Sequence, residues 1–287
     1  MYLRGLCFVL CLLIFVGGPS PKSSIADEGR PGPTIELSAE YVGRAAVDRW
    51  SDSFSVNHYA AEIEWLVALF EYHHLRYDWR SRLDEGDPWV SLERIKPGVQ
   101  YLHRFDEQWG FWPKIVAVSG YEDSPSSRSL TWNPQLIGFY HANPRATLYF
   151  GAGSLYHPVG PVYYPVLGVA LIAVDEGRFS GALGFPETVA RYRIDDRLAL
   201  KADFNWEIRF YQLADDNPNA PDGYLRTEDR VPGLYLEYTT ANGLTVSPGV
   251  RWHLGRSITL YDDRERKIES SRVRGAWSAI VTMEYTF

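Results

Sequence analysis

Hydrophobic and polar residues alternate along most of this chain, and the alternation runs longer than in an ordinary strand. In LALKADFNWEIRF, one face carries Leu198, Leu200, Ala202, Phe204, Trp206, Ile208 and Phe210. The other carries Ala199, Lys201, Asp203, Asn205, Glu207 and Arg209. Successive strand side chains point to opposite sides, so a period of two predicts a strand with two unlike faces. Typical strands have about 5 or 6 residues, whereas this alternation lasts long enough to cross a bilayer at a tilt. Similar alternation recurs at Ile35 to Tyr41, with Glu36 and Glu40 on the polar face, and from Ala61 to Leu69, with Glu62 and Glu64 opposite. It appears again from Leu244 to Leu260, where Arg251 and His253 lie opposite Val250 and Trp252. Helical periodicity is scarce after residue 27.

Read this way throughout, the chain predicts about 12 strands, at 34–43, 58–76, 90–104, 109–121, 130–141, 145–156, 162–174, 178–192, 197–211, 231–240, 244–261 and 274–287. Val162 to Val174 is apolar on both faces and is expected to pack against something inside. Connections alternate in length when counted from the C-terminus: 262–273 is long, 239–243 short, 214–230 long and 193–197 short. An even number of antiparallel strands with tight turns on one side and longer loops on the other is the pattern of an all-β, up-and-down transmembrane barrel. The expectation is therefore one such barrel over residues 27–287, with both termini in the periplasm. The segment 78–89 would be an unusually long periplasmic turn, so the count stays open there, and the strands within 90–121 and 162–174 are the least regular.

The first 26 residues read differently. Arg4 precedes an apolar run from Leu6 to Val16, and Ser24 and Ala26 then offer a small-residue cleavage site. This is the layout of a secretory signal peptide, with the mature chain starting at Asp27. The only cysteines, Cys7 and Cys11, lie inside that leader, so the mature chain has no disulfide, thiol nucleophile or cysteine metal site. Removing Arg4 and Lys22 leaves 27 basic against 36 acidic residues, a surface ill suited to nucleic acid. Aromatics make up 15% of the chain, with 19 Tyr and 10 Trp, residues suited to a membrane interface.

The chain closes on AIVTMEYTF, with Val281, Met283, Tyr285 and terminal Phe287 on one face. This ending resembles the C-terminal targeting signal of bacterial outer-membrane barrels. The stretches GALGFPETVARYRIDDRLALKADFNWEIRFYQL (181–213) and VPGLYLEYTTANGLTVSPGVRWHLGR (231–256) are similar to an uncharacterised family of Gram-negative outer-membrane β-barrel domains. The resemblance implies outer-membrane location and recognition by the barrel assembly machinery, with lipid and lipopolysaccharide as surroundings. It brings no substrate and no catalytic residue.

Chemical signatures are few. No G-x-S-x-G occurs, because Gly151-Ala152-Gly153-Ser154 lacks the closing glycine, and no His-x-Ser pair is present. His73 and His74 are adjacent and would face opposite ways on a strand. Asp215, Asn217 and Asn219 have calcium-loop spacing, but Ala220 and Arg226 replace the required glycine and glutamate. No metal or cofactor is expected. The predicted lumen face holds Glu36, Glu40, Glu62, Glu64, Asp203, Glu207, Glu237 and Glu284, with Lys201, Arg209, Arg251 and His253. Such an acidic interior fits a narrow passive channel for small solutes or ions, or a non-enzymatic structural component of the membrane. Two alternatives remain: an outer-membrane lipid hydrolase of the phospholipase or lipid A deacylase type, with Ser and His brought together from different strands, and a secreted soluble β-sandwich that binds a ligand.

Overall fold

The computed structural model describes residues 32–48, 50, 52–80, 87–174 and 177–287. The expected leader, its cleavage site and both cysteines lie outside these residues. Fourteen strands build one antiparallel sheet. The first seven are β1 (Thr34–Val47), β2 (Asp52–Trp65), β3 (Ala68–Trp79), β4 (Ser91–Gln100), β5 (Trp109–Tyr121), β6 (Leu130–Asn143) and β7 (Ala146–Leu155). Then come β8 (Val162–Val174), β9 (Phe179–Phe185), β10 (Glu187–Arg193), β11 (Leu198–Gln212), β12 (Tyr224–Thr239) and β13 (Thr245–Tyr261). The last, β14, has two pieces, Lys267–Val273 and Ala276–Thr286, and a two-residue strand, His103–Arg104, flanks β5.

Each strand pairs with its chain neighbours, and β1 pairs with β14 from Thr34↔Thr286 to Val42↔Ser278. The sheet therefore closes into a barrel with no free edge along that seam. A single closed sheet is not the two-sheet sandwich held open as an alternative. Both ends of the barrel wall meet at one rim, called proximal here; the opposite rim is distal.

The expected count of about 12 is corrected to 14, and both errors have the same origin. The segment expected as one strand at 58–76 is a hairpin: β2 and β3 pair up to Trp65↔Ala68 around Leu66 and Val67. That turn contains no glycine, proline, asparagine or aspartate, although Leu66 takes a positive φ of 51°. A two-residue turn exchanges the inward and outward parity, so Val67 and Leu69 read as a continuation of Ile63 and Trp65. Leu69 is in fact buried on the inside. The second error is 178–192, which folds back at Pro186 into the short hairpin of β9 and β10. With both hairpins counted, 80–90 becomes a distal loop. The two longest connections, 80–90 and 213–223, fall on the distal side, which also holds the one-residue turn at Pro186, while 101–108 on the proximal side is as long as 122–129 on the distal side.

The outer surface carries the apolar residues. Leu37, Tyr41, Leu136, Leu167, Leu234 and Trp277 are all exposed on strand faces that turn away from the axis. In water such a belt would be costly; in hydrocarbon it is the expected surface. Inside, small residues let the lobe of β6 to β9 close tightly. The Tyr149 hydroxyl lies over Gly168 and Gly184, where a Cβ on either glycine would overlap it.

At the distal end the interior is apolar. Phe54, Trp79, Trp89, Leu92, Tyr211 and Leu225 belong to one buried cluster. Trp79 stacks edge-on to Trp89 at 5.2 Å and donates its indole hydrogen to the Trp89 carbonyl at 2.7 Å. Distal loops fold over this plug. Asn217, only 2% exposed, donates to the Pro88 carbonyl at 2.6 Å and to Glu122 at 2.9 Å. Its own amide oxygen accepts from the Asn219 and Ala220 amides. The residue read for calcium spacing thus organises a loop.

Candidate functional site: the charged interior

All twelve predicted lumen residues lie on inward strand faces and are buried or half-buried. What they meet differs from a simple acidic lining. Glu40, whose side chain is 2% exposed, is the hub. It accepts from Ser278 Oγ at 2.6 Å, lies 3.0 Å from His253 Nε2 and 3.3 Å from His58 Nδ1, and pairs with Arg251 Nη1 at 3.2 Å. A carboxylate removed from water costs several kcal/mol unless it is paired and hydrogen-bonded, and four partners from β2, β13 and β14 provide that. Glu207 pairs with Arg209 on its own strand and with Arg251 at 3.6 Å. His253 Nδ1 reaches Asp229 Oδ2 at 2.6 Å, and Asp229 also holds Arg256 at 3.5 Å. Arg256 in turn lies over the Phe54 ring at the base of the plug.

Nearer the proximal rim, Glu237 pairs with Arg191 of β10 and not with Arg251. Lys201 sits over the Tyr235 ring at 5.3 Å. A row of acids crosses four adjacent strands in register: Glu284 opposite Glu36, Glu36 opposite Glu62, and Glu62 opposite Glu71. Glu71 ends the row in an ion pair with Lys96. Glu64 stands beside this row, opposite Thr34.

The expected balance of eight acids against three fixed cations is therefore corrected. Arg94, Lys96, Arg191 and Arg256 join the interior, as do Glu71 and Asp229. Two misread features hid them. The inward face of β3 runs from Leu69 through Glu71 and His73 to Trp79; the sequence pattern places Leu69 on the outward face because it carries the alternation across the unseen turn, and it gives no clear parity beyond that. β12 begins at Tyr224, seven residues before the expected start, so Asp229 fell in a supposed loop. A register shift between Glu228 and Arg230, opposite Gly255 at φ 57°, then turns Arg256 inward. His73 is an interior residue, bonded to His58 at 3.1 Å and to Glu71 at 3.2 Å, while His74 faces away and meets Glu93.

One grouping answers the hydrolase alternative directly. Ser278 Oγ, His253 Nε2 and Asp229 Oδ2 are linked at 3.2 and 2.6 Å, the spacing of a serine, a base and its orienting acid. The fourth member decides the chemistry. Ser278 donates its hydroxyl hydrogen to Glu40 at 2.6 Å, and Glu40 also lies 3.0 Å from His253 Nε2, so the serine proton is directed at a carboxylate and not at the imidazole. The group is buried inside the barrel, away from the lipid-facing surface. It acts as a clamp between strands.

At the distal mouth, β5 and β11 touch across the barrel. Tyr121 and Gln212 pair in parallel, and the Glu122 amide donates to the Gln212 carbonyl at 2.9 Å. Burial pushes the Glu122 carboxyl up, against hydrogen bonds from the Ala214 amide and Asn217. Beside this seam His157 stacks on Phe210 at 4.3 Å with a ring edge toward Tyr224, and burial pushes its imidazole down to about 3. Between seam and clamp, a cavity of about 40 Å³ is lined by Glu40, His58, Asp229 and His253, room for little more than water.

Apolar outward faces, a charged and largely self-paired interior, and closure of the sheet define the class: a closed antiparallel β-barrel of inside-out polarity. No protein-family model matches the chain, and no curated protein matches its sequence. Among solved structures, the chain is similar to an outer membrane channel from Pseudomonas putida F1, at 11% identity and TM-score 0.44, over 93% of this chain and 100% of that one. It is also similar to the KdgM porin in complex with disordered oligogalacturonate, at 11% identity and TM-score 0.36, over 88% and 99%. A TodX monoaromatic hydrocarbon channel mutant aligns at 10% identity and TM-score 0.36, over 90% and 91%.

Proposed function

We propose that this protein is an integral barrel of a Gram-negative outer membrane, with periplasmic termini, acting as a narrow passive channel that favours small cations and whose distal mouth is shut in the present conformation. The observation that carries the reading is the row Glu284, Glu36, Glu62 and Glu71 on four neighbouring strands at the proximal end. Four carboxylates gathered on one side of the lumen favour cations over anions along that side. Lys201, Asp203, Glu207, Arg209, Glu237, Arg251 and His253 then serve as a braced constriction rather than a wide lining. The two longest connections, 80–90 and 213–223, share the distal rim, which supports the orientation. Recognition of Val281, Met283, Tyr285 and Phe287 by the barrel assembly machinery, and contact of the outer belt with lipid and lipopolysaccharide, belong to the same reading.

Purified protein in a planar bilayer tests it. Small, cation-selective steps are expected, with selectivity reduced when Glu36 and Glu62 are changed to Gln together. Wild-type protein that fractionates with the inner membrane or with soluble proteins sinks the location. Protein that never conducts, even when the distal seam is opened as described below, sinks the channel.

A further inference from the structure

A string of four side chains runs through the interior from Glu40 to Glu71. Glu40 Oε2 lies 3.3 Å from His58 Nδ1, His58 Nε2 lies 3.1 Å from His73 Nδ1, and His73 Nε2 lies 3.2 Å from Glu71 Oε2. With both carboxylates ionised, each end of the string is an acceptor that takes a hydrogen from its imidazole. Two neutral imidazoles carry one hydrogen each. If the outer nitrogens give theirs to the carboxylates, the inner two present lone pairs to each other. The rings lie 20° from parallel with centres 5.3 Å apart. A 3.1 Å nitrogen contact at that ring separation means the imidazoles meet end to end, nearly in one plane. Their lone pairs therefore share an axis.

A carboxylate on the far nitrogen is the outer-shell arrangement that orients a metal-bound histidine and raises its basicity, and here both rings have one. Among the described residues, no group of three or more His, Cys, Asp or Glu is disposed around a metal ion, so zinc's tetrahedral set is not offered. Two nitrogens on one axis suit a soft monovalent ion that accepts two ligands, and imidazole is a copper ligand. We propose that His58 and His73 form a linear two-coordinate site for a soft monovalent metal cation of the copper(I) class. Two metal–nitrogen bonds of about 2 Å place the nitrogens about 4 Å apart, so the rings must separate by about 1 Å. Arg94, the register partner of His73, opposes a cation together with Lys96 and Arg209, and Glu40 and Glu71, themselves paired with Arg251 and Lys96, favour it. The acid row ends at Glu71 and gives a cation a path from the proximal rim. The site is independent of conduction, because a barrel that passes no current can still hold the ion.

Silver(I), the redox-inert analogue, is titrated into the full-length protein folded in detergent, in chloride-free buffer. Copper(I) is then measured without oxygen against a chelator of known affinity. One equivalent should bind with micromolar or tighter affinity. Affinity should fall at least tenfold in His58→Gln and in His73→Gln. X-ray absorption of the copper-loaded wild type should show two nitrogen neighbours, a result that needs no variant to fold. No uptake by the wild type overturns the proposal. Uptake that survives both substitutions, or an absorption shell of sulfur or of four ligands, overturns it equally.

Discussion

Gly120 of β5 lies against the backbone of Phe210 in β11, so close that a Cβ on Gly120 would overlap the Phe210 carbonyl oxygen. The obstacle is main chain on a strand and has no side-chain torsion by which to move aside. Gly120→Leu should therefore part the seam that Tyr121 and Gln212 close. The overpacking should cost about 1–3 kcal/mol of stability while leaving the rest of the wall paired. Single-channel conductance in a planar bilayer should rise well above wild type. Equal conductance in both proteins would show that the seam does not limit passage.

Arg128 ties three distal loops together. It donates to the Tyr224 hydroxyl at 3.1 Å, to the Asp222 side chain and its carbonyl, and to the Asp263 carbonyl at 2.9 Å. Charge-assisted bonds of this kind are the stronger class, but the side chain is partly solvated, so Arg128→Ala should cost roughly 1–2 kcal/mol. The effect should be local. Limited proteolysis should cut within 213–223 and 262–266 many times faster in the variant, with the strands still resistant. Cleavage at the wild-type rate would remove Arg128 as the fastener.

His157 makes the loop between β7 and β8 sensitive to acid. The docked ring has its pKa near 3, whereas an exposed histidine titrates near 6.5. Between these values the undocked loop binds the extra proton, so the docked form is fully stable above about pH 6.5 and loses ground as pH falls toward 3. Each unit in that window should favour undocking about tenfold. Amide exchange at 156–161, corrected for intrinsic rates, should accelerate accordingly in the wild type. His157→Phe keeps a flat ring against Phe210 and should remove the pH dependence. Exchange that accelerates equally in His157→Phe would assign the effect to another group.

How much of this was legible depended on whether strand parity survived the turns. From Leu198 to Phe210 and from Val246 to His253 the alternation is unbroken, so the inward set from Lys201 to His253 can be read directly. Leu66 and Val67 reverse the chain without any of the usual turn residues, and Pro186 does so inside an apparently continuous strand. Each reversal exchanged inside for outside, and with β3 went Glu71 and His73, half of the interior string. The distal contacts were beyond reach for a different reason. Gly120 against Phe210, Arg128 against Asp263 and His157 against Tyr224 join residues far apart in the chain, and no local pattern encodes which loops fold inward.

The last residue separates assembly from stability. Phe287 is 65% exposed, its ring touches Tyr285 edge-on at 4.7 Å, and its amide donates to the Pro33 carbonyl at 3.1 Å. Little of its apolar area is withdrawn from solvent, so its removal should cost the folded barrel no more than about 1–1.5 kcal/mol, one hydrogen bond and a fraction of a side-chain burial. If Phe287 serves as the recognition end for the assembly machinery, the cellular effect should be out of proportion to that small loss. The shortened protein should refold into detergent with a urea midpoint close to wild type, yet reach the outer membrane as a heat-modifiable barrel at a severalfold lower level. Normal levels in the membrane would dismiss the recognition role. Failure to refold in detergent would instead make Phe287 a structural part of the β1–β14 closure, because no machinery is present in that experiment.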